Sequence, residues 1–476
     1  MAGLRSRRSS SRTAAVALLA LSLVAAHPSP AAAQPVGCGA VLTEDTTLTA
    51  DLIDCPGDGL VIGAPGITVD LGGHTVSGQI IQGGDPGQVG IDNSAGYDDV
   101  TIRNGTVSYF QRGGVHLAGA DRNLVTGLDM FLFDEFGILI EGGSDNRIAG
   151  NTPRAPGTVG IEIRGGATPT TLNNVVTGNV VASSLSAGIA LRSGRIAGTV
   201  VEGNEVTGNS NAELWGAAIV VAYRAVDVTG TTVRGNTAYR NFGGGVFVGR
   251  AAERTVVERN ALRDNGAAEI ENTGNRTVIR SNTIDSQIPG STTMGVQLNV
   301  GSRDAQVTAN SIRGADLAGI DDSGRSSDIR LNIVDGQFTT APGDWAGWLA
   351  GIAVRPEATG ADIQGNVVRR QSLNGMVVGG RNTLLRHNVV DQTLYGDGVL
   401  VEPGAINTRV ERTVATRHRD DGIDVDSPAT TLTGNLATDN GDLGIEAVAG
   451  VIDGGGNRAA RNVNPAQCVG VTCAAP

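Results

Sequence analysis

The 476-residue chain contains no lysine, so all 36 of its basic residues are arginine. A base of the amine type is therefore excluded, and arginine, histidine or tyrosine would have to serve beside the carboxylates. Aromatic residues make up only 3%, and glycine numbers 70. A helical bundle needs apolar runs at 3.6-residue spacing and far less glycine. An apolar share of 40% excludes a disordered tail. Beyond His27 in the N-terminal segment, the histidines His74, His116, His387 and His418 show no H-E-x-x-H spacing, and the calcium nonapeptide G-G-x-G-x-D does not occur. His418, beside Arg419 and Asp420, reads as a surface histidine, with a general-acid role beside the carboxylates as the lesser alternative.

Beyond the N-terminus no apolar segment is long enough to span a bilayer. Residues 1–33 carry Arg5, Arg7, Arg8 and Arg12, then an apolar run from Ala14 to Ala26 and small residues to Ala33. That order is the pattern of a cleaved signal peptide, so a secreted protein is expected, by the general secretory or a twin-arginine route. The net charge is −12, and losing four arginines without an acid would take it to −16. Such a balance disfavours nucleic acid and anionic lipid as partners and admits cations. The four cysteines form two local pairs, Cys38 with Cys55 and Cys468 with Cys473, one at each end. In an exported chain this pattern predicts two disulfides. A zinc site lacks a nearby histidine at ligand spacing.

What the chain does have is repetition. A small residue followed by apolar ones recurs at steps of mostly 22 to 28 residues, as at Gly114, Gly137, Gly160, Gly188, Gly375, Gly398, Gly422 and Gly444, with Glu269 in one of these places. A second mark follows each: Asn151, Asn179, Asn204, Asn236, Asn260, Asn282, Asn310, Asn332, Asn366, Asn388, Thr413, Asn435 and Asn457. A buried carboxamide can donate to the neighbouring coil, and asparagine tolerates a left-handed bend. Between these marks lie strands of three to five residues that alternate in and out, as in Ile423, Asp424, Val425. Leucine-rich repeats share the period, but their leucines at fixed offsets are absent. Parallel strands stacked about 4.8 Å apart predict an all-β parallel β-helix solenoid of roughly sixteen coils, about 75 Å long, with disulfide-clamped ends. Residues 34–90 form its N-terminal cap, 91–457 its repeats and 458–476 its C-terminal cap.

These repeats resemble the right-handed parallel β-helix repeat proteins of the pectate-lyase-like superfamily over about residues 36–476. The end motifs C-G-A-V-L-T from Cys38, D-C-P-G-D-G-L from Asp54 and N-P-A-Q-C from Asn464 are similar to those of exported members of unassigned function. The resemblance implies fold, export and an extracellular polysaccharide as partner, cleaved by a lyase or glycoside hydrolase or only bound. The D-P-H-D, W-I-D-H and G-H-G signatures of catalytic members are missing. A non-catalytic surface or adhesion protein is the competing expectation, and a periplasmic helper of metalloenzyme assembly a third.

The densest candidate chemistry is R-D-D-G-I-D-V-D, Arg419 to Asp426. Stacking would set Asp397 level with Asp421, Glu402 with Asp426, and Asp424 with Glu446, about 4.8 Å apart at the backbone. Like charges so close demand relief by a cation, a shared proton or solvation. Asp397, Asp421 and Asp424 are the candidate catalytic acids, and Asp424, Asp426 and Glu446 the candidate ligands of a calcium ion. No other cofactor is implied. Asp321 and Asp322 would extend an acidic groove about 19 Å away. Trp215, Trp345 and Trp348 fall in loops that lengthen the repeat, some 24 Å apart along the axis, where they could stack on sugar faces. A monomer is expected.

Overall fold

Three-residue strands dominate because each coil must turn again after one inward side chain. Val200–Glu202, Thr232–Arg234 and Val256–Glu258 each bury the central valine and leave their first residue partly exposed. The computed structural model describes residues 36–79, 87–166, 170–210, 216–286, 293–336 and 349–475. Among these every regular element is a strand, and no helix is long and apolar enough to cross a membrane. The expected leader falls outside the described residues, as do Trp215, Trp345 and Trp348.

Gly37–Pro476 forms one unit. Its strands pair in parallel, each with its counterpart one coil away. One sheet holds 18 strands, from Ala40–Leu42 to Cys468–Val469, close to the roughly sixteen coils expected. Its inward columns are aliphatic: Ile161 lies over Ile189, Ile189 over Ile219, and Ile219 over Val246. Two further stacks meet at the asparagine corner. Arg147–Ala149 and Thr152–Pro156 belong to one stack each, whereas Leu124–Phe133 runs through both without a break. Disulfides Cys38–Cys55 and Cys468–Cys473 form as expected, near the two ends. They are consistent with an exported protein.

The small residue that opens each strand of the 18-stranded sheet is small for steric reasons. A Cβ on Gly160 would sit 2.2 Å from Val181 Cγ1, contributed by the opposite wall, and 2.7 Å from the Gly188 carbonyl. Glu269 breaks the pattern by reaching along the core. Its carboxylate takes hydrogen bonds from Asn265 N, Asn265 Nδ2 and Ser286 Oγ, and burial pushes its pKa up to about 7.

The corner asparagines form a column of buried side chains. Asn179 N and Nδ2 both donate to Asn204 Oδ1, at 2.9 and 3.0 Å, and Nδ2 also donates to Ile148 O of the preceding coil. Asn204, Asn236, Asn260, Asn282, Asn310, Asn332 and Asn366 repeat the pattern in turn. Thr413 lacks a carboxamide. It takes part only through its backbone N, which donates to Asn435 Oδ1.

The left-handed bend is not where the sequence placed it. The residue before the asparagine carries the positive φ: Gly178 (62°), Arg259 (54°), Ser281 (55°) and Leu331 (56°) among them. The asparagine contributes its carboxamide rather than its backbone tolerance. Two columns were not anticipated. Asn123, Asn146 and Asn174 link successive coils, and so do Asn209, Asn241 and Asn265.

Replacing Asn282 by Ala removes hydrogen bonds to Val257 O and Asn310 and strands the buried Asn260 N–H. At roughly 1 kcal/mol per bond plus the desolvated donor, Asn282→Ala should cost about 3 kcal/mol. Denaturant unfolding followed by circular dichroism would read it. A loss below about 0.5 kcal/mol would contradict the role given to the column.

Candidate functional site

Near the C-terminal end, on the outward side of the 18-stranded sheet, five carboxylates converge. Strands Ile423–Val425 and Ile445–Ala447 pair with Asp424 level with Glu446. Val399 pairs with Ile423, which sets Asp397 level with Asp421 just before the strands begin. The register expected from the repeat holds at both places. It holds for the third pair as well, since Asp426 N donates to Val401 O, beside Glu402.

Two groups of three acids have oxygens within 4.8 Å of one another: Asp397, Asp420 and Asp421, and Asp421, Asp424 and Glu446. Asp421 belongs to both and is buried. Asp420, adjacent in the chain, carries no mark of this role in the repeat pattern. Asp426 is exposed and stands outside both groups. Two residues beyond Asp424 on an extended chain, it lies about 6.6 Å along the strand direction.

Two of these acids also serve the backbone. Asp421 N donates to Asp397 Oδ1 at 3.0 Å, and Leu443 N donates to Asp421 Oδ1 at 2.6 Å. One coil earlier Asn374 Oδ1 accepts from Asp397 N in the same way. The second oxygen of each carboxyl remains for other partners.

Elsewhere on the surface, acids are neutralised by arginines from neighbouring coils. Asp362 is held between Arg330 at 3.0 Å and Arg386 at 2.9 Å, Asp391 pairs with Arg417 and Asp439 with Arg461. Among the described residues no arginine, lysine or histidine pairs with Asp397, Asp420, Asp421, Asp424 or Glu446.

Proton affinity rises accordingly. Burial pushes Asp421 up to about 8, against the pull of the Leu443 N–H, and a carboxyl–carboxylate hydrogen bond with Glu446 adds to the rise. Burial, then the charges of Asp397 and Asp426, takes Asp424 to about 7. Asp397 reaches about 6 through burial, moderated by the Asp421 N–H. Glu402 is raised by burial and by Asp426.

Several expected contributors lie elsewhere. His418 is buried, not at the surface. Its Nε2 lies 3.2 Å from Val390 O and its Nδ1 3.2 Å from Thr393 Oγ1, while its backbone N donates to Asn440 Oδ1. Burial lowers its pKa to about 4, so it stays neutral in a structural column with Asn440 and Asn462. Asp321 does not extend an open acidic groove, because it is buried against Arg355. Asp322 points inward, where Gly324 N and Ser327 Oγ donate to it.

A long solenoid of parallel strands, each paired with its counterpart one coil away, defines the class of right-handed parallel β-helix proteins. The model of the right-handed beta helix region matches residues 51–206 and 176–338, more than half of the sequence, and the chain belongs to that family. No curated protein matches the sequence. Among solved structures, a tailspike protein mutant of E. coli bacteriophage HK620 with a bound pentasaccharide is 14% identical, over 83% of this chain and 70% of its own, with a TM-score of 0.46. The A-module of a mannuronan C-5 epimerase of Azotobacter vinelandii is 13% identical, over 80% and 91%, with a TM-score of 0.38. A periplasmic alginate epimerase mutant is 12% identical, over 79% and 77%, with a TM-score of 0.36. Site residues and substrates do not transfer at this level of likeness.

Carboxyls with raised folded pKa values bind protons more tightly than in the unfolded chain, so the stability they contribute is complete below about pH 4 and is lost as the pH rises through 6 to 8. In metal-free buffer the melting temperature should therefore fall between pH 5 and pH 8.5. The double variant Asp421→Asn, Asp424→Asn should show a shallower fall, read by differential scanning fluorimetry. Identical slopes would mean that these acids are solvated as in the unfolded chain.

Proposed function

We propose that the protein binds and processes an extracellular polysaccharide on the outward face of the 18-stranded sheet, with Asp397, Asp421 and Asp424 as the reacting groups. The observation that carries this reading is the packing of five carboxyls without an arginine, on a surface where neighbouring acids are neutralised by arginine. An uncompensated cluster costs stability, and such clusters concentrate at functional sites.

The differing proton affinities divide the work. At neutral pH Asp421, at about 8, remains protonated and can donate to a leaving oxygen, while Asp397, at about 6, is ionised and can act as base or nucleophile. Oxygens within 4.8 Å suit the short carboxyl separation of a retaining glycosidase. The same hard-oxygen set suits calcium. Asp421, Asp424 and Glu446 would hold it once Asp421 has lost its proton, with Asp426 at the margin, and in that state the ion would neutralise the cluster and offer a Lewis acid to a sugar oxygen in place of the Asp421 proton. Calcium at pH 8 should raise the melting temperature of the native chain by several degrees and that of Asp421→Asn by little. An equal shift in both would place the ion elsewhere.

A second reading has an observation of its own. Asp397 and Asp421 each hold the next coil's N–H as the ladder asparagines do, which a non-catalytic surface or adhesion protein would also need. Turnover separates the two. Reducing ends and unsaturated products would be assayed on uronate and neutral polysaccharides, with and without calcium. Loss of the general acid in Asp421→Asn should cut the rate by about 10²- to 10⁴-fold. No turnover on any substrate, or undiminished turnover by Asp421→Asn and Asp424→Asn, would leave the adhesion reading standing.

A further inference from the structure

A second feature of the same sheet face lies seven strands before Asp424, following the register Phe247, Glu271, Gln297, Asp321, Ala353, Val377, Leu400, Asp424. That is about 34 Å along the axis. Here the strand Ile219–Tyr223 departs from regular pairing: Leu191 pairs with Val221 but Arg192 pairs with Tyr223, so one extra residue is inserted. Ala222 absorbs it with φ of 67°. A bulge of this kind re-aims the next side chain. Tyr223 comes to the outward face, near the outward-facing Phe247 of the following coil.

Both rings rest on an apolar base that includes Ala190, Ala217 and Val220, which fixes them as a platform. Gly249 makes their setting feasible. A Cβ there would lie 2.6 Å from the Ala222 carbonyl and 3.2 Å from Phe247 Cε1. Two exposed arginines stand at the rim. The Arg224 guanidinium lies 5.1 Å from the Tyr223 ring centre, and Arg250 follows Gly249. Neither has a carboxylate partner among the described residues. Together with both rings and Gly249 they line a cleft of about 350 Å³, within the range of small-ligand sites.

Glu271, the next outward residue beyond Phe247, accepts from Asn299 Nδ2 at 2.6 Å. On the other side Arg192 and Arg164 both pair with Glu162. The local balance around the rings is thus positive on a chain whose net charge is −12. Rigid aromatic faces take the apolar face of a ring, and unpaired guanidinium groups take an oxyanion.

We propose that the cleft between Tyr223, Phe247, Arg224 and Arg250 is a subsite for an anionic sugar unit of the bound polysaccharide, its carboxylate or sulfate held by the two arginines. The inference rests on the polysaccharide reading and specifies the charge of the substrate. Binding of the full chain to polygalacturonate, dextran sulfate and neutral dextran would be measured by isothermal titration calorimetry in 0.15 M salt with a chelator. At least one anionic polymer should bind roughly tenfold or more tightly than dextran. Arg224→Gln with Arg250→Gln should abolish that preference, Phe247→Leu should weaken binding, and Arg103→Gln, an exposed arginine paired with Asp70 outside the 18-stranded sheet, should leave it intact.

A preference for polygalacturonate assigns the subsite to carboxylates, and one for dextran sulfate to sulfate esters. No preference for either anion over dextran, or an unchanged preference in a double arginine variant that melts like the native chain, overturns the proposal. Anion binding that follows the arginines while turnover is absent retains the subsite and removes only the catalytic role of the acids.

Discussion

Register between coils is the constraint on which the rest of this molecule depends, and buried carboxamides enforce it. An asparagine such as Asn260 is satisfied only when Asn282 lies directly above it and Val233 O below. Sliding one coil by a residue would leave its buried donors and acceptor unpaired and would turn apolar side chains outward. Each coil is too small to bury its own face, so its stability is a property of contacts with its neighbours. Once the columns are fixed, residues more than twenty positions apart in the chain lie one strand spacing apart.

That spacing produces both the ion pairing that stabilises the surface and the site that departs from it. Arginine on one coil meets a carboxylate on the next at Asp362, Asp391 and Asp439. At Asp421 the same geometry stacks acid on acid. Because Asp397 and Asp421 also receive backbone N–H groups, the cluster is held in place by ladder bonds even as its charges oppose one another. Raised proton affinity follows from desolvation first, and then from the hydrogen bond with Glu446 at Asp421 and from the neighbouring charges at Asp424. A fold with fixed cross-coil register can therefore hold acids at separations that a freely moving surface would relax.

The corner column from Asn151 to Asn457 was legible because one residue type recurs at one place in each period. The pairing of Asp424 with Glu446 was legible for the same reason, as both stand at the same offset from a marked glycine. The additional columns were hidden because their places are shared among chemically different residues: Asn209, Asn241, His418, Gln467. His418 read as a surface residue for want of that context. The bulge at Ala222 has no sequence mark, since alanine is not a residue that ordinarily takes a positive φ. Asp321 looked like part of an open acidic groove because its partner, Arg355, lies 34 residues away across an inserted loop.

By itself the sequence determined the coil period, the inward columns, the disulfide pairs and the level at which each acid stands, because all of these are consequences of a repeating local pattern. Only the tertiary structure decided which of those acids are desolvated, which meet an arginine, and which join into groups, as Asp420 does and Asp426 does not. Those outcomes depend on the distance between atoms of different coils and on their access to water, and neither quantity is a function of position within the repeat.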